Sequence, residues 1–225
     1  MAKKLMTAIA GLAAALVLTS VARADTISIG LKETGAHPRV LTTVASGPGF
    51  ADFAGSFGTF SLTVDTGAGS PLLSQPNLDS TSLDISSSVP GVLWVYVTEQ
   101  GITSPSGPTT LESNFSVSLA SFGSGISSVE EYTYYSNSDA LYGGTPLASY
   151  TFKATGSEST HHSVSVTPLF SETEVFEITA TGSGSGASGA IELSGVPEPA
   201  TLSLLGLGLS GLGLLGLRKK ERLNG

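Results

Sequence analysis

Between residues 25 and 193 apolar and polar residues take turns. Ile27, Ile29 and Leu31 form one such set, followed by Phe60, Leu62 and Val64, and by Phe115, Val117 and Leu119. Tyr150, Phe152 and Ala154, then Val164 and Val166, then Phe176, Ile178 and Ala180 continue the pattern, with Ser or Thr at most intervening positions. A period of two puts successive side chains on opposite faces of an extended chain, so each set predicts a strand with one buried and one wet face. Val92 to Val97 is apolar on both faces, which predicts a central strand carrying Trp94 as the largest aromatic contribution to the core. Turn-forming clusters separate the runs at Gly67-Ala68-Gly69, Pro90-Gly91, Pro105 to Pro108, Gly123 to Gly125, Gly143-Gly144 and Gly156. The Gly/Ser run 182–189 predicts a mobile hairpin loop, and Ala190 to Leu193 a final strand. No stretch here repeats apolar residues at helical spacing over a helical length. The expectation is an all-β fold: a single antiparallel β-sandwich, jelly-roll or immunoglobulin-like, with eight or more strands over residues 25–195.

The pattern changes at both ends. Lys3 and Lys4 precede an apolar run from Met6 to Leu18, and Ala22 and Ala24 put small residues where a signal peptidase reads. Residues 1–24 are therefore expected to be a signal peptide cut before Asp25. Residues 201–217 carry no charge and are followed by Arg218, Lys219, Lys220 and Arg222. A helix of that length reaches about 25 Å, enough to cross a hydrocarbon core of about 30 Å with slight thinning or snorkelling. The positive-inside rule keeps the basic cluster cytoplasmic, so the residues before Pro197 lie across the inner membrane. Gly206, Gly208, Gly211, Gly213 and Gly216 soften the span, each by about 1 kcal/mol relative to Ala. That softness fits a segment that is recognised and discarded better than one that only anchors.

Between body and span stands Val196-Pro197-Glu198-Pro199. The two prolines fix their own φ and push Val196 and Glu198 toward extended conformations, the form that proteases bind. This motif, the Leu/Gly-rich span and the basic cluster, in that order, resemble a PEP-CTERM sorting signal over residues 196–225. Such a tail is also described as an ice-binding-protein C-terminal region. The resemblance implies an exported Gram-negative protein whose tail is recognised by an exosortase, an integral-membrane cysteine protease or transpeptidase that removes it near Pro-Glu-Pro. It also implies an association with exopolysaccharide, biofilm or floc matrix. Where the family usually shows an arginine-rich end, this chain has Lys219, Lys220 and Glu221.

Charge and composition narrow the chemistry. Of the 18 acidic residues of the 225-residue chain, all but Glu198 and Glu221 lie between Asp25 and Gly195, against three bases there, Lys32, Arg39 and Lys153. A body so acidic repels nucleic acid and anionic lipid. With no Cys in the chain, disulfides, thiolate metal sites and cysteine nucleophiles are excluded.

Candidate catalytic residues are few. Val64-Asp65-Thr66-Gly67 matches the loop with which aspartic proteases hold a carboxylate, but no second copy exists and the same residues form an ordinary turn. His161 and His162 are neighbours on a strand, so they point to opposite faces and cannot share a metal; His37 is the remaining imidazole. The polar stretch Asn77 to Asp84 could tie a loop with calcium or form an Asx turn. Glu172 and Glu174 share a face with Phe176 and are expected beyond its buried part, as exposed acids at the end of the sheet. Outward Ser61, Thr63, Ser116 and Ser118 would serve ice or glycan adhesion.

The expected protein has no cofactor and no metal, and is not an enzyme. It is an exported surface or matrix protein, parked transiently at the inner membrane and processed by an exosortase-type protease, with exopolysaccharide as a partner. An exported carbohydrate-active or proteolytic enzyme and a glycan- or ice-binding adhesin are the alternatives.

Overall fold

The computed structural model describes residues 25–35, 38–119 and 125–196. Twelve strands form two antiparallel six-stranded sheets. Sheet A contains, from edge to edge, β2 (Arg39–Pro48), β1 (Thr26–Gly35), β6 (Gly91–Ile102), β11 (Phe170–Ala180), β8 (Ile126–Ser136) and β9 (Thr145–Phe152). Sheet B contains β10 (Gly156–Val166), β7 (Gly107–Leu119), β12 (Gly184–Gly195), β5 (Asn77–Ser87), β4 (Phe60–Ala68) and β3 (Phe50–Phe57). The sheets face each other, as the sequence pattern predicts for a β-sandwich. Among the described residues no helix is long and apolar enough to cross a membrane; the span expected at 201–217 and the signal peptide at 1–24 lie outside them.

Most of the alternating sets supply the inner faces; of the set at 150–154 only Phe152 is buried, Tyr150 being exposed and Ala154 lying past the end of β9. Ile27, Ile29, Leu31, Leu93, Val95, Val97, Phe176 and Ile178 from sheet A meet Phe60, Leu62, Ile85, Phe115, Val117 and Ile191 from sheet B in one core. Phe176 is fully buried there. Truncation by Phe176→Ala is expected to lower the unfolding free energy by about 3–5 kcal/mol, read by urea denaturation, because the cavity adds to the lost transfer energy.

Three expectations need correction. Trp94 is not a core residue: Leu93, Val95 and Val97 occupy the inward positions of β6, which leaves Trp94 and Tyr96 on the outer face, half-buried. β6 is apolar on both sides because rings, not a third layer, cover its outer side. Residues 184–189 are not a mobile loop but the first half of β12, paired with β5 and β7 and bulged near Ala187; Thr181 to Ser183 make the turn. Residues 64–67 and 77–84 are not loops either, but lie within β4 and β5, where residues 64–67 and 77–83 pair across the sheet and Asp84 sits at φ 48. On β5, Ser80 and Ser82 are buried, which a loop reading of their composition missed.

Candidate functional site

The outer face of sheet A carries a continuous aromatic surface. β6 supplies Trp94 and Tyr96, and β8, two strands away, supplies Tyr132 and Tyr134. The register sets Tyr96 opposite Val175 of β11 and Val175 opposite Tyr132, so rings from β6 and β8 close over the strand between them. Val175, although on the outer side, is only 1% exposed. Trp94 lies 6.4 Å from Tyr96 and 6.1 Å from Tyr132, and Tyr132 lies 6.3 Å from Tyr134, with ring planes within 20–25° of parallel.

A loop closes one end of this row. After β8 the chain turns back over the outer face, and Gln100 and the Gly101 amide donate to the Asp139 carbonyl and carboxylate at 2.7 and 2.9 Å. The Ser171 hydroxyl donates to the Ala140 carbonyl, and the Tyr142 and Gly143 amides donate to the hydroxyls of Thr98 and Thr173, themselves bonded at 2.9 Å. Tyr142 is thereby fixed at φ 60, a region that non-glycine residues enter only when the surroundings over-determine them. Its ring sits 5.7 Å from Tyr96 and its hydroxyl donates to Thr43 on β2 at 2.8 Å. Gly30 makes this possible, since a Cβ there would stand 2.5 Å from the Tyr142 ring.

Polar groups border the rings. Tyr132 donates to Glu177 at 2.8 Å, and the Lys32 ammonium sits 5.7 Å over the Trp94 ring. Burial, then the Glu177 carboxylate, push the Tyr132 phenol upward; burial does the same for Tyr96, Tyr134 and Tyr142. The rings are therefore neutral at ordinary pH. Such a surface offers apolar ring faces with acceptors and a donor at the margin, the combination that grips a flat polyhydroxylated ligand. A groove of about 510 Å³ on sheet B mixes Asp79, Asn114, Ser116, Glu158 and Glu192 with Phe115 and Ile191, without a row of stacked rings.

The interior holds a second polar feature. Glu99, Glu131, Glu172 and Glu174 project from sheet A into the sandwich and are fully buried, which corrects the expectation that Glu172 and Glu174 lie exposed at the sheet's end. Their shared face with Phe176 is as predicted, but that face remains covered along its whole length. Room comes from glycines opposite: a Cβ on Gly69 would stand 2.5 Å from the Glu99 carboxyl, and one on Gly189 2.6 Å from that of Glu131. Burial raises Glu99 to about 8, opposed by the Ser70 amide that donates to it at 2.7 Å, and raises Glu131 to about 9. Glu172 and Glu174 are raised well above the carboxylate range by the same cause. Sealed from solvent, these acids cannot reach a substrate. Among the described residues no group of three or more potential ligands could hold a metal ion.

The other sequence candidates do not converge. His161 is exposed, 3.6 Å from Glu112, while His162 points to the other side of β10. Asp65 pairs within β4, between Phe53 and Ser82. His37, Ala22, Ala24, Pro197, Glu198, Pro199, Arg218, Lys219, Lys220 and Arg222 lie outside the described residues. Val196, the last described residue, is half-buried, and its amide donates to the Thr110 carbonyl at 2.9 Å. Sequence reasoning missed the aromatic face, although Trp94-x-Tyr96 and Tyr132-x-Tyr134 repeat rings at the strand period and so place them on one face.

Residues 195–220 match the family model of the PEP-CTERM protein-sorting motif. The chain thus carries the sorting tail of an exported protein that is sorted through the membrane by an exosortase. No curated protein matches the chain. Among solved structures it is similar to the enzymatically active domain of tailspike protein 4 of bacteriophage CBA120, at 10% identity and TM-score 0.34, over 75% of this chain and 19% of that one, about a fifth of its length. It is also similar to the C-terminal CBM6 of LamC, a marine laminarinase from Zobellia galactanivorans, at 11% identity and TM-score 0.29, over 74% and 98% of the two chains. A carbohydrate-binding module of the β-sandwich superfamily shares 11% identity at TM-score 0.33, over 76% and 86%.

Proposed function

We propose that this chain is an exported, non-enzymatic surface or matrix protein whose folded body, residues 25–195, holds extracellular polysaccharide on the outer face of sheet A. The signal peptide, residues 1–24, starts its export. The tail, residues 196–225, parks it at the inner membrane until an exosortase-type protease acts near Pro197-Glu198-Pro199. The observation that carries the binding reading is the near-parallel row of Trp94, Tyr96, Tyr132 and Tyr134, walled by a Tyr142 held at positive φ. Part of the row serves packing, because it covers Val175. Covering one valine does not call for four rings and a strained fifth, whereas a sugar chain presents its C–H faces to ring faces and its hydroxyls to groups such as Glu177 and Lys32. Glu130 and Glu177 at the margin and the acidic body favour a neutral polysaccharide over an anionic one. A hydrolytic role finds no support in the candidate acids, since Glu172 and Glu174 are enclosed.

Trp94 is the chain's single tryptophan and reports on its own site. Neutral polysaccharides added to the purified protein are expected to shift and saturate its fluorescence. Tyr134→Ala, which removes one ring of the row, is expected to weaken binding about tenfold, the loss of roughly 1.4 kcal/mol. A panel of neutral glucans, galactans and mannans that leaves Trp94 emission and electrophoretic mobility unchanged would overturn the proposal.

A further inference from the structure

The two places where the chain leaves the sandwich are at the same pole. Asp25 is tied there by its amide to the Ser70 carbonyl and by its carbonyl to the Gly49 amide. Val196 and Gly195 are tied by their amides to the Thr110 and Pro76 carbonyls. The Gln75 side-chain carbonyl, accepting from the amides of Thr103 and Ser104 at 3.1 and 3.0 Å, joins the two loops between these exits. Residues 197–200 alone separate Val196 from the uncharged segment that begins at Thr201. Fully extended, four residues reach about 14 Å. A bilayer of about 40–45 Å with a hydrocarbon core of about 30 Å leaves about 5–8 Å of head group on each side, so a span entered at Thr201 keeps this pole within roughly 6–9 Å of the head groups even with those four residues fully extended, and in contact with them when they are not.

The surface of the pole fits that position. Leu72 is 64% exposed, Leu169 51% and Phe50 42%, each at a loop or strand start of this end. Leu169 stands at φ 64, where Gly or Asn is the relaxed choice, and its amide bond to the Ile102 carbonyl keeps that turn in place. Carboxylates at this pole are engaged: Asp25 with Gln75, Asp139 with the Gly101 amide and Glu99 with the Ser70 amide. Lys32, Arg39 and Lys153, the basic residues of the body, lie away from this pole: Lys32 within β1, Arg39 at the start of β2 and Lys153 just past the end of β9.

We infer that this pole, through Phe50, Leu72 and Leu169, rests in the interfacial region of a largely zwitterionic bilayer for as long as the tail is attached. The inference depends on the tail-anchored reading above. Three shallow apolar side chains hold a body to lipid only when a tether supplies a high local concentration, so removal of the tail also frees the pole. Anionic lipid is disfavoured by the acidity of the rest of the body.

The chain has no Cys, so single cysteines give unambiguous labels. The full chain, with Leu72→Cys, Ser74→Cys or Leu169→Cys carrying an environment-sensitive fluorophore, is reconstituted into vesicles of phosphatidylethanolamine with a minor share of phosphatidylglycerol. Ser88→Cys and Thr181→Cys mark the opposite pole, and Leu209→Cys marks the tail. Quenching by spin-labelled lipid is expected to be several-fold stronger at 72, 74 and 169 than at 88 and 181. Equal quenching at the two poles with strong quenching at 209 would overturn the docked pole and leave the anchored tail standing. Weak quenching at 209 as well would overturn both.

Discussion

Raising the pH from about 5 to 9 is expected to lower the melting temperature of this protein by well over 10 °C. Glu99 and Glu131 keep their protons to about 8 and about 9 because burial disfavours their charged forms, whereas in the unfolded chain they ionise near 4.5. Between those values the native state holds protons that the unfolded state has released, so stability falls as pH rises. The contribution is fully present below about 4.5 and gone above about 9. Each pKa unit corresponds to about 1.4 kcal/mol, so each of the two groups withdraws a few kcal/mol over the interval. Glu172 and Glu174 add to the same slope. For a body of this size about 2–4 °C accompanies each kcal/mol. Scanning calorimetry from pH 4 to 9 checks the expectation, and Glu131→Gln, which removes one titration without changing shape, should raise the melting temperature at pH 8 and flatten the curve. Exposed Glu192→Gln serves as the control. A melting temperature that is flat or rising over this range would show that the buried acids are not held protonated.

These acids also mark where the sequence stops being legible. Strands β1, β4, β7, β9, β10 and β11 follow from alternation, because a sheet with one face in the core sorts Ile27, Phe115 or Phe176 from their Ser and Thr neighbours at every second position. That rule depends on polarity alone, and it fails where a charged-type residue is buried as a neutral acid. Glu172 and Glu174 have the period of Phe176 but not its polarity, and the space that admits the neighbouring buried acids Glu99 and Glu131 is created by Gly69 and Gly189, distant from them in sequence. The aromatic face was hidden for the opposite reason. A strand that is apolar on both sides reads as doubly covered, yet Trp94 and Tyr96 lie beside Tyr132 and Tyr142, which the strand order β6, β11, β8 and the loop after β8 bring to them. Period gives the face of a residue; only topology gives its neighbours. The Gly/Ser-rich start of β12 shows a third limit, since glycines taken as freedom for a loop here permit close approach of a buried carboxyl.

The tail carries the second large effect, an all-or-none loss of processing. In a host that has an exosortase, the wild-type chain is expected to lose its C-terminal segment and leave the inner membrane, seen as a shortened intact mass. Glu198→Ala, or Pro197→Ala with Pro199→Ala, should leave the full mass and retention in the membrane, because the extended acidic recognition element is gone while the uncharged span persists. Neutralising Arg218, Lys219, Lys220 and Arg222 should produce a different defect, a weakened stop-transfer signal, since nothing then favours the cytoplasmic side. The folded body adds a further discriminator. Val196 is bonded to Thr110, so the motif begins at the wall of the sandwich and the enzyme must meet it there. A short Gly/Ser insertion between Val196 and Pro197 leaves the recognised segment whole and should preserve processing, whereas the Glu198 and proline variants should abolish it at the same distance from the wall. Processing of the Pro-Glu-Pro variants at the wild-type level would mean that the motif is not read at all, and the tail would then be a permanent anchor that happens to follow two prolines.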